Sequence, residues 1–364
     1  MSIKITILGV GLIGGSLALC FRGKPGIQVV GYSPNEASTR KYIERGVVDD
    51  ATTNLADAVQ DADFIFVCSP VGLLDDMLVQ LRALPLKRGC VVTDVGSTKA
   101  TVAQCARALK WDNIHFIGGH PMAGSERSGV EAASVLLFEN AYYVLTPEED
   151  VDDEAYQRLV DLLQYTRAHL IRMKPEEHDR VVGAISHLPH IVATALVNQV
   201  RQYNEQNDMH VVLAAGGFRD LTRIASSDPT IWSDILINNR DVMLELLKDW
   251  NASVEEWIQV LESKDTSFIR RSFESSSEFR SKMPERRKGA IHALYDLYVD
   301  VPDHPGIIGK IATELGNHHV NLSNLQIIES REDVPGVLRL SFRDQKHSDA
   351  ANMLLQELGF TVYV

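Results

Sequence analysis

The first 145 residues alternate short apolar runs with segments of helical character. The runs at 3–8, 28–32, 64–68, 90–94, 114–118 and 142–145 are rich in Val and Ile, and most end at Gly, Ser or Asp. Strands that alternate with helices predict a mostly parallel, doubly wound α/β sheet covered by helices. From about residue 176 the strand signal stops. Met243, Leu247, Trp250, Val254, Trp257 and Leu261 recur at helical spacing, and Leu244 and Ile258 widen the stripe. Such a stripe suits core packing or a subunit interface. An all-helical domain is therefore expected over 173–285, after a dinucleotide-type domain over 1–172. The polar, basic stretch from Ser275-Ser276-Ser277 to Arg286-Arg287-Lys288-Gly289 reads as a linker.

The remaining residues, 292–364, read as strand, helix, strand, strand, helix, strand. Leu297, Val299 and Val301 alternate, and Pro305-Gly306 open a helix carrying Ile307, Ile311 and Leu315. Two strands at 321–329 and 337–343 are expected to pair across a turn containing Pro335-Gly336. Helix 350–358 and strand 361–364 complete a βαββαβ order, which is ferredoxin-like.

A chain of 364 residues exceeds a single core, so two or three domains are expected. The formal net charge of -13 argues against nucleic acid and anionic membranes as partners. An anionic substrate then needs a local cluster of Arg, His or free N–H groups. None of the four cysteines forms a CxxC pair, and Cys68 and Cys90 lie in strand-like runs. That usage suits reduced, buried thiols in a cytoplasmic protein and argues against a catalytic thiol. Residues 1–20 superficially resemble a signal peptide, but Gly9, Gly11, Gly14 and Gly15 interrupt the apolar run. No other run is read as a membrane span.

Those glycines form the strongest local motif, Gly9-Val10-Gly11-Leu12-Ile13-Gly14, between a strand and an apolar helix. Gly9 allows the tight turn, Gly11 lets the backbone approach a pyrophosphate, and Gly14 allows helix-on-strand packing. The N–H groups at Leu12 and Ile13 face the phosphates. Ser33 stands where an acidic residue usually holds the ribose of NAD, which leaves NADP open beside a preference for NAD. Ser69-Pro70, Ser97 and His120 follow later strands and so line the cofactor crevice. In the helical region stand Glu176-Glu177-His178-Asp179, Ser186-His187-Leu188-Pro189-His190 and Gly216-Gly217-Phe218-Arg219-Asp220-Leu221-Thr222-Arg223. His187 and His190 lack the further ligands of a zinc site, so no metal is expected. A His placed just before Pro at a helix start is kept neutral by the helix dipole and makes a competent base. Arg219 and Arg223 supply the positive charge that an anionic substrate needs.

Together these segments resemble the prephenate dehydrogenases of tyrosine biosynthesis. The carrying motifs are GVGLIGGSLAL at 9–19, TDVGSTK at 93–99, GGHPMAGSE at 118–126, EEHD at 176–179, SHLPH at 186–190 and GGFRDLTRIASSDPTIW at 216–232. Residues 303–306 (DHPG) and 321–324 (NLSN) resemble an ACT domain, an amino-acid-sensing module. The resemblance implies NAD-dependent oxidative decarboxylation of prephenate to 4-hydroxyphenylpyruvate. It gives His187 the substrate hydroxyl as base, Arg223 a substrate carboxylate, and Ser97 and His120 the pocket wall. It also implies a homodimer and L-tyrosine as an inhibitor bound near His304, Pro305, Gly306, Asn321 and Asn324. Two rival readings are an arogenate dehydrogenase and a non-enzymatic sensor of dinucleotide and amino acid. The sensor has no use for His187 and Arg223.

Overall fold

The Val- and Ile-rich runs become strands β1 (Ile3–Leu8), β2 (Ile27–Tyr32), β4 (Phe64–Val67), β5 (Val91–Asp94), β6 (His115–Pro121) and β7 (Tyr142–Pro147). The computed structural model describes residues 2–124, 128–149, 151–283, 295–302, 304–331 and 334–363. Two further strands, β3 (Asp50–Thr52) and β8 (His169–Arg172), left no signal in the sequence. Both are short strands at the edges of the sheet, three and four residues long. The order is β3-β2-β1-β4-β5-β6-β7-β8. Pairing is parallel throughout except between β6 and β7. The 3-2-1-4-5-6 core is the doubly wound dinucleotide arrangement. β4 and β5 are buried along their whole length, which explains their unbroken apolar character.

Residues Met1–Ser275 form one compact unit, so the dinucleotide fold and most of the helical region are not separate bodies. Ile235, on helix Pro229–Asn238, packs into the same core cluster as Leu8, Val67, Val71 and Leu74. The sequence reading treated His187 as a helix start, and the structure corrects it. Helix Pro175–Val182, a π turn at Gly183–His187 and helix Leu188–Asn204 run on as one helix. Pro189 has no N–H to give the carbonyl four residues back, and its ring crowds that carbonyl. The wider π turn accommodates this, with the Leu188 N–H bonding back to Gly183 O. By length and composition this helix is apolar enough to cross a membrane, contrary to the sequence reading. Its His178, Asp179 and His187 are instead buried inside the unit.

The expected linker is also shortened. Ser275, Ser276 and Ser277 lie within helix Thr266–Lys282, and 284–294 fall outside the described residues. The second unit, Ser276–Val364, holds β9 (Tyr295–Val301), β10 (Asn324–Arg331), β11 (Val334–Phe342) and β12 (Val362–Tyr363). The sheet order β10-β11-β9-β12, with helices Ile307–Asn317 and Gln345–Glu357, is the expected ferredoxin-like βαββαβ arrangement. Pro335-Gly336 belong to β11 rather than to the turn before it, since Gly336 pairs with Val301 of β9.

Ile235 ties the helical region to the dinucleotide fold and is 5% exposed. Ile235→Ala should cost about 2–4 kcal/mol of unfolding free energy through the cavity it leaves. Denaturant titration of the full chain reads this as a lower midpoint. An unchanged midpoint would show that the packing there carries little.

Candidate active site

The turn after β1 has the shape a pyrophosphate requires. Gly9 has φ +96°, and a Cβ there would lie 2.9 Å from the Cys68 carbonyl oxygen. A Cβ on Gly14 would lie 2.2 Å from Gly9 O, whereas one on Gly11 would meet nothing within 4 Å. Gly9 and Gly14 therefore serve the fold, and Gly11 leaves open space beside the start of helix Leu12–Phe21. These residues fit a dinucleotide. At the ribose end, Ser33 Oγ accepts from Asn35 N–H at 3.2 Å. The nearby cations are engaged: Arg40 pairs with Glu36 at 3.1 Å, and Lys41 pairs with Glu131. Carboxylates beside both cations suit a ribose without a 2′-phosphate, which is the NAD case. Ser69 and Pro70 follow β4 and lead into the short helix Val71–Leu73.

β5 and β6 are joined at their carboxyl ends by a buried ion pair. Lys99 bonds Asp94 and also donates to Gly119 O at 2.7 Å, and both charged side chains are fully buried. Asp94 further accepts from Gly96 N–H at 2.8 Å and Gly119 N–H at 3.2 Å. Ser97 and His120 stand on this rigid support, both partly exposed. His120 sits within β6 itself, paired with Val144 of β7, rather than on a flexible loop. Ser125 and Glu126 of its motif lie outside the described residues.

His120 Nδ1 is 2.8 Å from His178 Nε2, and His178 Nδ1 is 2.8 Å from Asp179 Oδ1. Asp179 also accepts from Lys99 N–H at 2.7 Å and Ala100 N–H at 2.8 Å. An ionised carboxylate only accepts, so His178 Nδ1 must carry a proton. In neutral His178 the Nε2 lone pair then accepts from His120 Nδ1–H. That leaves the lone pair of His120 on Nε2, which no hydrogen bond among the described residues engages. Burial, then the facing His178, Lys99 and His187, hold His120 well below the ordinary histidine range. It is neutral near pH 7, with an open acceptor atom.

The geometry around His187 bears on the role expected for it. Asn239 Nδ2 donates to Asp179 O at 2.9 Å and lies 3.1 Å from His187 Nδ1. The reverse amide orientation would set two carbonyl oxygens against each other, so Nδ1 of His187 is an acceptor. Its proton is then on Nε2, where neutral His187 offers a donor. Its pKa falls to about 4 through burial, with Asp179 opposing and His178 and His190 assisting. Burial, not a helix dipole, keeps it neutral. His190 Nδ1 bonds Ser186 O at 2.8 Å, and its ring stacks on Trp232 with centroids 3.6 Å apart. Trp232 also meets His187 edge-on at 5.9 Å. Arg223 lies close enough to depress His190 further, beyond the larger effect of burial. Arg219 is exposed and donates from Nε to Ala214 O at 3.0 Å.

The structure thus gathers Ser97, His120, His187 and the neighbourhood of Arg223 at one end of the sheet. Asn239 and Lys99 were missed as site residues, as were the roles of His178 and Asp179. The EEHD motif held the signal for the last two. Asn239 had none.

Three family models match successive parts of the chain. They are the prephenate dehydrogenase nucleotide-binding domain over 17–172, its dimerization domain over 174–275, and the ACT domain over 295–359. The prephenate dehydrogenase of Bacillus subtilis is 41% identical over 357 residues, covering 98% of this chain and 96% of that protein. The Aquifex aeolicus prephenate dehydrogenase, solved with hydroxyphenyl propionate and NAD+, superposes with TM-score 0.72 at 30% identity, covering 78% of this chain and 99% of that one. An arogenate dehydrogenase from Synechocystis gives TM-score 0.70 at 32% identity, covering 78% of this chain and 100% of that one. With a dinucleotide cradle, a histidine site at the sheet's carboxyl end and full-length likeness of this degree, the chain belongs to the prephenate dehydrogenase family.

Proposed function

We propose that the protein oxidises prephenate with NAD+, releasing CO2 and 4-hydroxyphenylpyruvate, and that His120 rather than His187 is the base. The observation that carries this reading is the free Nε2 of a neutral His120 held rigidly beside the cofactor crevice. When bound, NAD+ supplies the hydride acceptor. His120 Nε2 takes the proton of the ring hydroxyl, so the oxygen's electron pair becomes the carbonyl bond as hydride leaves the same carbon. Departure of the ring carboxylate as CO2 then gives the aromatic ring. His187 Nε2–H donates to a substrate oxygen, and Arg223 holds a carboxylate in a chain whose net charge is -13. Prephenate is preferred over arogenate because the full-length relative at 41% identity is a prephenate dehydrogenase.

A second copy completes the assembly. Ile185, Leu213, Ile237 and Leu261 are 63%, 74%, 68% and 63% exposed in the helical region, apolar surface that suits burial against a two-fold partner. In the ACT unit, His304, Pro305 and Gly306 follow β9, whereas Asn321 and Asn324 precede or open β10. β9 and β10 both pair antiparallel with β11 and so run the same way. Asn324 pairs with Ser341, at the far end of β11 from Gly336 and Val301. The two halves of the expected amino-acid site therefore lie at opposite ends of one sheet, and a single copy does not bring them together. Asp303 lies outside the described residues. L-Tyrosine bound between two copies, favouring an inhibited state, is the regulatory reading. The acidic chain and reduced cysteines suit a cytoplasmic enzyme.

His120→Asn should keep NAD+ affinity and lower kcat by about 10²–10⁴-fold, the usual worth of a positioned base. Activity needs neutral His120, whose pKa is lowered, so kcat/KM should hold as pH falls to about 6.5 and drop only below it. Turnover of the variant within a factor of a few of wild type would reject the assignment.

Arg223→Ala should raise KM for prephenate by the equivalent of about 1.5–3 kcal/mol, the loss of a charged hydrogen bond. An unchanged KM would give the carboxylate to another residue, with Arg219 the next candidate.

A chain ending at Lys288 should stay active and lose most of its sensitivity to tyrosine. Undiminished inhibition that is competitive with prephenate would place tyrosine in the catalytic pocket and remove the regulatory reading.

A further inference from the structure

We propose that His178 and Asp179 are positioning residues for His120, fixing its proton on Nδ1 and sharing the charge that His120 gains as base. This rests on the reading of His120 above and deepens it. The chain of contacts is continuous and becomes fully buried from His178 inward: His120 Nδ1 to His178 Nε2 at 2.8 Å, then His178 Nδ1 to Asp179 Oδ1 at 2.8 Å. His178 is 0% exposed and Asp179 1%, so no water competes for the link between them. Asp179 is itself fixed by two main-chain donors at the start of helix Ala100–Ala108. A carboxylate with three donors stays acceptor-only, and this sets the direction of every proton behind it.

The direction matters because a neutral imidazole has one donor and one acceptor. If His178 turned its Nε2–H toward His120, Nδ1 of His120 would accept and its proton would move to Nε2, where the base is needed. Asp179 forbids that arrangement while His178 is neutral. When the substrate hydroxyl gives its proton to His120 Nε2, the Nδ1 proton can pass along the 2.8 Å contact to His178 Nε2. The O–H bond breaks, an N–H bond forms on His120, and one N–H bond is exchanged for another between the rings. The extra proton then rests on His178 beside the Asp179 carboxylate, rather than on His120 facing the buried Lys99 ammonium.

The test is steady-state kinetics of the full chain with prephenate and NAD+. His178→Leu removes the acceptor while filling the space, and His178→Gln keeps an oxygen able to accept from His120 Nδ1–H. The Leu variant should lose about 10²–10³-fold in kcat, with KM for both substrates within about threefold of wild type. The Gln variant should recover at least about tenfold of that loss. Equal losses in the two variants, or a loss expressed mainly in KM, would mean that His178 only fills space, and the proposal falls. A Leu variant with wild-type kcat overturns it as well. Measuring His120→Asn alongside separates the two readings. If that variant is crippled while His178→Leu is not, only the relay fails. If neither is affected, the base assignment fails with it.

Discussion

Three elements meet at Asp179. It takes the N–H groups of Lys99 and Ala100 from the loop after β5, and the imidazole of its own neighbour His178. Its main-chain carbonyl takes the amide of Asn239, next to helix Arg240–Ser263. A carboxylate in a dry setting must have its lone pairs filled, so this cluster tolerates little rearrangement. Removing it would free the dinucleotide fold from the helical region beside His120 and His187. It would also release the protons on two histidines. Fold and chemistry share one anchor.

The buried Lys99–Asp94 pair extends that constraint across the sheet. An isolated ammonium with no exposure is expensive, and here it is matched by a carboxylate and by Gly119 O. Such a pair adds little net stability but fixes geometry, since either partner alone would be an uncompensated charge. It holds β6 against β5 just where β6 turns antiparallel to β7 and presents His120. The ammonium also helps keep His120 neutral, second to burial and to His178. Opposite it, His187 is kept neutral mainly by burial. In these contacts neutral His120 is left with an acceptor at Nε2 and neutral His187 with a donor. The difference comes from what touches each Nδ1: a histidine lone pair for His120, and an amide N–H for His187.

Much of this was legible in the sequence. The βα alternation and the glycine turn specified the dinucleotide fold, because parallel strands buried on both faces need unbroken apolar runs and a phosphate needs bare backbone. The βαββαβ unit was readable because alternation and helical spacing are local properties. Strands β3 and β8 were not, since three or four residues are too few to show a period. The helix start at His187 was misread for a related reason. Proline usually marks a boundary, and here the helix continues through it by widening into a π turn.

The sequence by itself determined which chemistry-bearing residues exist and the local structure that carries them: the glycine cradle, the histidines and the arginines. It did not determine which ring nitrogen of each histidine is engaged and which is left open. That depends on contacts between residues as far apart as His120 and His178, or His187 and Asn239, which no local pattern records. Likewise the motifs around His304 and Asn324 look like one site in the sequence. The direction of β9 and β10 places them at opposite ends of the sheet. Tautomer, burial and strand direction are set by what a residue meets across the fold, so only the tertiary structure decided them.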